Sequence, residues 1–251
     1  MAETDPGRAA PVLSVVMPAF NEAAFLAAAV DEVVGGLRNR RIDFEVLVVE
    51  NGSRDDTAAI ADRSAADHPE VVALHLAEAD YGVALRTGLL TARGATVVNF
   101  DVDFFDLGFV DDALLRLAER DDPVIVVGSK RAAGADDRRS PVRKLVTGVF
   151  GVILRTVFGL RVSDTHGMKA LRREAVEPIA RACHFGTDLF DTELVLRCER
   201  AGLRVVELPV VVEETRPPRS AIWRRVPRTL AGLVRLRVQL GREGRPGRGR
   251  P

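Results

Sequence analysis

The chain has 251 residues, of which 47% are apolar and 29% are charged, and its formal net charge is zero. This length and composition predict a soluble globular protein with a sizeable core. No run of about 18 apolar residues is present, which argues against a membrane-spanning helix. The two cysteines, Cys183 and Cys198, have neither the number of a disulfide framework nor the spacing of a zinc site. The cysteines therefore favour a reduced, cytoplasmic location. The first residues are acidic and contain no apolar segment, so we expect no signal peptide.

Charge is distributed unevenly along the chain. From Arg216 to Pro251 there are eleven arginines and one acidic residue, Glu243, so the preceding residues carry an excess of acidic side chains. This asymmetry predicts an acidic globular body followed by a basic segment that binds anionic surfaces. The acidic body and the lack of a recognition motif argue against nucleic-acid binding.

After a predicted disordered leader (residues 1–11), apolar runs alternate with helical patterns. The predicted buried strands are Leu13–Met17, Phe44–Val49, Val71–Leu76, Thr96–Phe100 and Pro123–Val127. The predicted helices are Phe25–Leu37 with Asn21 as its cap, Thr57–Ala66, Val83–Ala92 and Asp111–Glu119. Continuously apolar strands that alternate with helices predict an α/β fold with a mostly parallel sheet covered on both faces.

In such sheets, ligands bind beyond the carboxyl ends of the strands. The residues at those ends are Pro18, Phe20 and Glu22 after the first strand, Glu50, Asn51 and Ser53 after the second, and Asp101 and Asp103 after the fourth. Two carboxylates one residue apart can bind one hard cation, Mg²⁺ or Mn²⁺, together with a diphosphate. The spacing equally allows Asp101 to close a turn while Asp103 faces solvent. No G-x-G-x-x-G segment follows the first strand and no P-loop lysine motif is present, so an ordinary dinucleotide or P-loop site is not expected.

Four segments stand in order along the first half of the chain, and they are LSVVMPAFNE (13–22), VLVVENGSRDDT (46–57), YGVALRTGLLTARG (81–94) and FDVDFF (100–105). Together they resemble the nucleotide-binding half of family 2 glycosyltransferases with the GT-A fold. Three later segments are similar to the acceptor half of the dolichol-phosphate mannosyltransferase and polyprenyl-phosphate glycosyltransferase branch. They are SDTHGMKALRRE (163–174), FDTELVLRCERAGLRVVELPV (190–210) and RPPRS (216–220). The resemblance covers roughly residues 12–220. It implies a GT-A domain (12–215) with a nucleotide-sugar half (12–131) and an acceptor half (132–215), followed by a basic amphipathic segment (216–240) and a disordered tail (241–251).

The resemblance also implies roles for individual residues. The implied nucleotide-sugar contacts are Pro18, Phe20, Glu22, Asn51 and Asp80. Asp101 and Asp103 correspond to the D-x-D pair that holds Mg²⁺ or Mn²⁺ and the diphosphate, Asp164 faces the acceptor and sugar, and Arg219 and Ser220 lie near phosphate contacts.

Two residues of the acceptor half have more than one interpretation. Asp191 corresponds to an acidic position that serves as general base in relatives that use hydroxyl acceptors, and it could equally cap the following helix. His166 could bind an acceptor phosphate or assist proton transfer, or it could be a structural loop residue. His68, His75 and His184 are expected to be structural, and both cysteines to be small buried residues.

Three departures from the family pattern bear on the substrates. Glu50-Asn51 stands where Asp-Asp is commoner, which leaves the nucleotide base open. Phe105 replaces a polar metal ligand of some relatives, and Asp106 could substitute for it. His166 and Met168 replace a Ser and a Phe, which leaves the acceptor open.

Two further segments predict contact with a membrane or with the core. The apolar stretch 144–160 is either a core-facing helix pair or an interfacial helix beside the acceptor site. The segment Trp223–Arg237 has an apolar stripe of Val226, Leu230, Leu233 and Val234 among arginines, which suits an anionic membrane surface.

The sequence therefore predicts an inverting, metal-dependent glycosyltransferase that uses a nucleotide-diphosphate sugar, such as GDP-mannose or UDP-glucose. The predicted acceptor is a polyprenyl phosphate at the cytoplasmic face of the membrane, where the protein would be peripheral. The alternatives are a soluble transferase that acts on a small molecule or saccharide, and a non-catalytic protein that binds sugar nucleotides.

Overall fold

The computed structural model describes residues 10–119, 122–132, 134–137, 141–212 and 222–243. Most of the predicted leader and most of the predicted tail lie outside these ranges, as do the predicted phosphate contacts Arg219 and Ser220. Among the described residues, no helix is both long enough and apolar enough to cross a bilayer.

Within the described residues, nine strands form two sheets. In chain order they are β1 (Leu13–Ala19), β2 (Phe44–Asn51), β3 (Val71–Leu76), β4 (Thr96–Asn99), β5 (Ile125–Ser129), β6 (Asp136–Asp137), β7 (Lys169–Arg172), β8 (Val205–Pro209) and β9 (Val211–Val212). The main sheet has seven strands in the order β3-β2-β1-β4-β7-β5-β8, and β6 and β9 pair separately. Strand β7 runs antiparallel to β4 and β5, whereas the other neighbours in this sheet are parallel. The mostly parallel α/β sheet expected from the sequence is confirmed.

Eight α-helices accompany the strands in the described residues. They are α1 (Leu26–Asn39), α2 (Thr57–Asp67), α3 (Tyr81–Thr91), α4 (Leu107–Leu117), α5 (Pro141–Ile153), α6 (Arg173–Arg181), α7 (Phe190–Arg200) and α8 (Ile222–Glu243). A π-helical turn (Leu154–Phe158) continues α5, and a 3₁₀ turn (Thr187–Leu189) precedes α7.

Alternate side chains of the central strands enter two apolar layers, one on each face of the sheet. Val15 of β1 packs with α1 and α4, whereas its neighbour Val16 packs with α3 and α7. Burial on both faces explains why these strands are apolar along their whole length, since no side chain of such a strand reaches water.

A third apolar cluster joins α8 to the body of the protein. Leu233, Leu236 and Leu240 are buried there against α7 and the π-helical turn. Arg197 of α7 binds Glu243 at the end of α8, with Nη1 and Oε2 separated by 2.8 Å. The predicted single stripe on α8 is therefore wrong in part, because Leu233 faces the core while Leu230 and Val234 are exposed. The side chain of Val226 is outside the described residues.

The first helix begins later than predicted, because Asn21 is not its cap. Asn21 has a left-handed backbone (φ 53°), and its Oδ1 accepts a hydrogen bond from the amide of Arg54 at 2.8 Å. Helix α1 begins at Leu26 without a side-chain cap. Asn21 instead links the loop after β1 to the loop after β2.

The main difference from the prediction is the position of β5. The sequence predicts five parallel strands, yet β5 does not neighbour β4, because β7 lies between them. Since β7 is antiparallel, its first residue, Lys169, pairs with Asn99 at the edge where the parallel strands end. The start of β7 thus contributes residues to the edge where ligands bind in sheets of this kind.

Candidate active site

A cavity of about 570 Å³ opens across the carboxyl ends of the parallel strands. Its lining contains eight of the residues predicted from the sequence, which are Pro18, Phe20, Glu22, Asn51, Asp101, Asp103, His166 and Asp191. Residues far apart in the chain therefore meet at one site.

One wall of the cavity is built by the loops after β1 and β2, which hydrogen-bond to each other. The amide of Asn21 donates to Ser53 Oγ at 3.0 Å, and the amide of Glu22 donates to Thr57 Oγ1 at 2.8 Å. Glu22 is buried and lines the cavity. Ser53 therefore has a structural role here.

Glu50 shapes the loop that presents Asn51. Its carboxylate accepts a hydrogen bond from the amide of Ser53 at 2.5 Å and lies 3.4 Å from Nδ1 of His75. Gly52 has a φ of +69°, and a Cβ there would approach the backbone of Glu78 to 3.0 Å, so a side chain is excluded. Glu50 is thus used to hold the turn, and Asn51 is the member of the pair that lines the cavity.

The D-x-D residues form a tight turn directly after β4. Asp101 and Phe104 exchange two backbone hydrogen bonds of 3.2 and 3.1 Å. Tyr81 Oη donates to Asp101 Oδ1 at 3.1 Å. Burial raises the pKa of the Asp101 carboxyl to about 6, the negative charge of Asp103 adds to the shift, and the hydrogen bond from Tyr81 opposes it. Asp101 closes the turn with its backbone, and both carboxylates line the cavity.

This pair suits a hard divalent cation that also binds a ligand. Two carboxylates whose charges repel each other are stabilised by a shared cation, and Mg²⁺ is commonly held by one or two carboxylates plus substrate phosphates. Within the described ranges, no group of three or more His, Cys, Asp or Glu side chains is arranged to hold a metal ion without such a ligand. The donor set therefore fits Mg²⁺ or Mn²⁺ in a site completed by a diphosphate.

The residues that follow this turn belong to the fold. Asp106 caps α4, and its Oδ1 accepts a hydrogen bond from the amide of Gly108 at 2.8 Å. This cap explains why α4 begins at Leu107, earlier than predicted. The ring of Phe105 packs against Phe100, with centroids 5.9 Å apart. Asp106 is not among the residues that line the cavity. Its Oδ1 is used by the helix, and the suggestion that Asp106 replaces a metal ligand stays a prediction.

On the opposite wall, two lysines contact two of the predicted carboxylates. Lys169 Nζ lies 2.8 Å from Asp191 Oδ1, and both side chains are buried. Lys130 Nζ lies 3.4 Å from Asp164 Oδ2 and donates to the carbonyl of His166 at 3.1 Å. Asp191 lies inside the first turn of α7, which has no side-chain cap, so the interpretation of Asp191 as a helix cap is wrong.

The loop that carries Asp164 and His166 is held from below by Glu207 of β8. Glu207 Oε1 accepts hydrogen bonds from the amides of Ser163 at 3.0 Å and Asp164 at 3.2 Å. His166 lines the cavity beside Lys130, and its ring meets that of Phe150 edge to face at 5.5 Å. Asp164 itself is buried beneath the cavity and is not among the residues that line it.

The carboxylate of Asp80 does not line the main cavity. It caps α3, and its Oδ1 accepts hydrogen bonds from the amides of Val83 at 3.0 Å and Thr187 at 2.5 Å. Its neighbours Ala79 and Tyr81 line the main cavity, whereas Asp80 lines a separate cavity of about 410 Å³ beside α8. Tyr81 begins a helix, so the expected turn at this position is the first turn of α3.

The remaining candidates have structural surroundings. His68 contacts Asp31 at 2.8 Å, and His75 lies between Glu50 and Asp62. Cys183 and Cys198 are buried, and burial raises the pKa of both thiols.

The sequence analysis did not predict Lys130, Lys169 or Glu207. Each is charged and lies within or directly after a strand, and charged residues are normally expected at the surface rather than in the interior. For the two lysines, the signal is the set of acidic residues predicted at the site, which need basic partners. No comparable signal points to Glu207, whose partners are backbone amides.

A mostly parallel α/β sheet with an acidic turn and a ligand-sized cavity at its carboxyl edge is typical of transferases that bind nucleotides. The profile of the family described as Glycosyl transferase family 2 matches residues 14–179. The chain belongs to this family, as the sequence predicted.

Named relatives agree with the predicted branch. The chain is 30% identical over 211 residues to a dolichyl-phosphate beta-glucosyltransferase of Trichomonas vaginalis, over 79% of this chain and 64% of that protein. The chain thus spans a little under two thirds of the length of this relative.

Solved structures confirm the GT-A fold. A glucosyl-3-phosphoglycerate synthase of Mycobacterium tuberculosis, in complex with Mn²⁺, uridine diphosphate and phosphoglyceric acid, is 23% identical with a TM-score of 0.59, over 95% of this chain and 81% of that chain. A mannosyltransferase of Pyrobaculum calidifontis, in complex with GDP-Man and Mn²⁺, is 24% identical with a TM-score of 0.61, over 94% and 66%.

Proposed function

We propose that this protein transfers a sugar from a nucleotide-diphosphate sugar to a polyprenyl phosphate at the cytoplasmic face of a membrane, with inversion at the anomeric carbon. The observation that carries the proposal is the single cavity in which the loops of β1, β2 and β4 face Lys130, His166 and Asp191. A donor and an acceptor can meet there from opposite walls.

The donor side would be formed by the nucleotide-sugar half (12–131). Phe20, Glu22 and Asn51 provide an aromatic surface and polar groups for the base and ribose. Asp101 and Asp103 would hold Mg²⁺ or Mn²⁺, and such an ion acts as a Lewis acid and template for a diphosphate leaving group. The Mn²⁺ complexes of the two structural neighbours support this assignment.

The acceptor side would be formed by the acceptor half (132–215) together with Lys130, which lies at the end of the nucleotide-sugar half. Lys130 and His166 border the cavity and offer positive charge or hydrogen bonds to a phosphate. A phosphate acceptor is already ionised and needs no general base. Asp191 would then orient the acceptor, and it would act as the base only for a hydroxyl acceptor. The name of the Trichomonas relative supports a lipid-phosphate acceptor.

Exposed apolar side chains on α5 and α8 favour delivery of the acceptor from a membrane. The opposite sides of both helices belong to the third apolar cluster, which α7 also enters. The exposed residues are Leu145, Val149, Val152 and Val157 on α5 and its π-helical turn, and Leu230, Val234 and Val238 on α8. Arg235 and Arg237 are exposed on the same helix. Apolar residues beside arginines suit the surface of an anionic leaflet. The membrane-facing interpretation of 144–160 is thus favoured for its exposed side, while Leu154 and Leu160 belong to the core.

The substrate experiment crosses donors with acceptors. Labelled UDP-glucose and GDP-mannose are each incubated with polyprenyl phosphate in detergent, with phosphoglyceric acid, or without acceptor, in Mg²⁺, Mn²⁺ or chelator. We expect metal-dependent formation of a lipid-linked sugar. Transfer to phosphoglyceric acid without transfer to the lipid would replace the proposed acceptor, and no turnover of either donor would favour a binding protein.

The membrane experiment uses flotation with vesicles of phosphatidylcholine and phosphatidylglycerol. Val149→Asp and Val234→Asp together should abolish flotation at low salt, and high salt should weaken wild-type binding. Leu115→Asp is the matched control, because Leu115 is 71% exposed on α4, away from the proposed surface. Equal flotation of all three proteins would overturn the membrane proposal.

A further inference from the structure

Lys169 is a buried cation of β7, at the edge of the sheet where the parallel strands end. It is the first residue of β7, pairs in register with Asn99 and Val127, and its side chain is 1% exposed. Its Nζ contacts Asp191 Oδ1 at 2.8 Å and donates to the carbonyl of Gly167 at 2.8 Å. One ammonium group therefore joins the start of α7 to the loop that carries His166.

Stability alone does not explain this pair. Removing two charges from water costs several kcal/mol, and replacing a buried ion pair by apolar residues is often neutral or stabilising. The chain also has only three lysines among its 36 basic residues, and two of them, Lys130 and Lys169, contact acidic side chains at this cavity. A lysine offers a compact point charge, which is less interchangeable with arginine at a buried position than on the surface.

The contacts of Asp191 show where the Lys169–Asp191 pair lies relative to the candidate site. Asp191 lines the cavity. The Oγ1 of its neighbour Thr192 lies 3.0 Å from Oγ1 of Thr165, which belongs to the loop that carries His166. Asp191 and Lys169 are also close enough to the D-x-D turn that their charges act on Asp101. The Asp191 carboxylate thus stands at the boundary between the metal-binding turn and the acceptor wall.

We propose that Lys169 is a positioning residue that fixes the Asp191 carboxylate at this boundary and acts on the reaction only through Asp191. The proposal rests on the proposed function for the role of Asp191. It predicts that Lys169 and Asp191 behave as one unit, so that losing either has the same effect as losing both.

The test is a double-mutant cycle of Lys169→Met, Asp191→Asn and the double variant. Release of nucleoside diphosphate is measured with polyprenyl phosphate and, as a second arm, without acceptor. We expect each of the three variants to lose on the order of 10²-fold in kcat, the scale of a misplaced reacting group, while the donor KM changes less than about threefold. Losses that multiply in the double variant, or a Lys169→Met enzyme with near-normal kcat beside an impaired Asp191→Asn enzyme, would overturn the proposal.

Two measurements keep the outcome interpretable. If Lys169→Met does not fold, the double variant, which buries no unpaired charge, is compared with Asp191→Asn alone, and a further loss of more than about tenfold overturns the proposal. The matched control is Arg38→Met with Glu70→Gln, an ion pair between the end of α1 and the residue before β3, with an N···O distance of 2.6 Å and side chains 45% and 16% exposed. It should leave kcat unchanged. If the wild-type enzyme turns over donor only in the absence of the lipid, the proposed acceptor is rejected. The double-mutant cycle is then decided by the rates measured without acceptor.

Discussion

The two halves of the cavity are held in place by different forces. On the donor side, the loops after β1 and β2 are linked by backbone and hydroxyl hydrogen bonds between neighbours in the sheet, such as Asn21 to Ser53. On the acceptor side, charged side chains hold the residues, such as buried Lys169 with Asp191 and half-buried Glu207 with the amides of Ser163 and Asp164. The donor wall therefore depends on strand order, whereas the acceptor wall depends on charge pairing over long stretches of the chain.

The largest effect is expected from the D-x-D turn, which would bind the metal ion and the diphosphate leaving group. Asp103→Ala removes an exposed carboxylate from the D-x-D turn without creating a cavity in the core. We expect turnover to fall by at least about 10³-fold, the upper range for loss of one electrostatic contact in the transition state, with little change in melting temperature. Isothermal titration with nucleoside diphosphate and Mn²⁺ should show directly that the variant binds them more weakly. An enzyme with near-normal activity would remove the D-x-D turn from the site.

A smaller effect is expected when the acceptor wall alone is disturbed. Glu207→Leu leaves the amides of Ser163 and Asp164 without their acceptor, so the loop of Asp164 and His166 should shift. We expect roughly a tenfold to hundredfold loss in kcat with the donor KM unchanged. Glu207→Gln, which keeps an oxygen acceptor, should recover most of the activity. A Glu207→Leu variant that mainly raises the donor KM would show that the two walls are not separate.

The donor wall alone is tested by Asn51→Ala. Base contacts bind the substrate and the transition state about equally, so their loss raises KM and leaves kcat unchanged. We expect the donor KM to rise about tenfold, equivalent to about 1.4 kcal/mol of binding free energy. Initial rates at varied donor concentration measure both constants. An unchanged donor KM would exclude Asn51 from the donor site.

The smallest effect concerns the support of the donor loop by His75. Burial lowers the pKa of His75, but the hydrogen bonds to Asp62 and Glu50 outweigh it, so the pKa lies above its ordinary value. The contribution of His75 to stability is then complete below about pH 6.5 and is lost as pH rises through the raised pKa. Since His75 is 42% exposed, we expect His75→Gln to cost less than about 1 kcal/mol at pH 6 and to match the wild type near pH 9. Urea unfolding at the two pH values makes the comparison. A difference that grows with pH would contradict this account.

The same contrast explains how far the sequence predicts the structure. β1 to β4 and the residues at their ends follow from local patterns, because each buried strand is apolar and each ends in turn-forming or acidic residues. The family resemblance also identifies Asp101, Asp103 and Asp191. Local patterns do not identify the partner of Asp191, because the contact between Lys169 and Asp191 depends on the pairing of β7 with β4.

Short polar side chains at the ends of elements show why local sequence leaves some roles open. Asn21, Asp80 and Asp106 each have side chains suited to more than one hydrogen bond, so local sequence does not decide among cap, loop link and ligand contact. Asn21 links two loops, whereas Asp80 and Asp106 cap helices. On α8, Leu233 and Val234 are adjacent in an amphipathic pattern, and only the position of α7 decides which of them is buried.

The place of β7 in the sheet also affects how the chain folds during synthesis. Strand β4 ends at Asn99, but its neighbour on that side begins only at Lys169. At roughly 5–20 residues per second, several seconds pass before the intervening chain is made. During that time, β4 has an open edge of unpaired amides and carbonyls, and β5 emerges first as a competing apolar strand. We expect the nascent amino-terminal half to be aggregation-prone and to need protection until β7 is inserted.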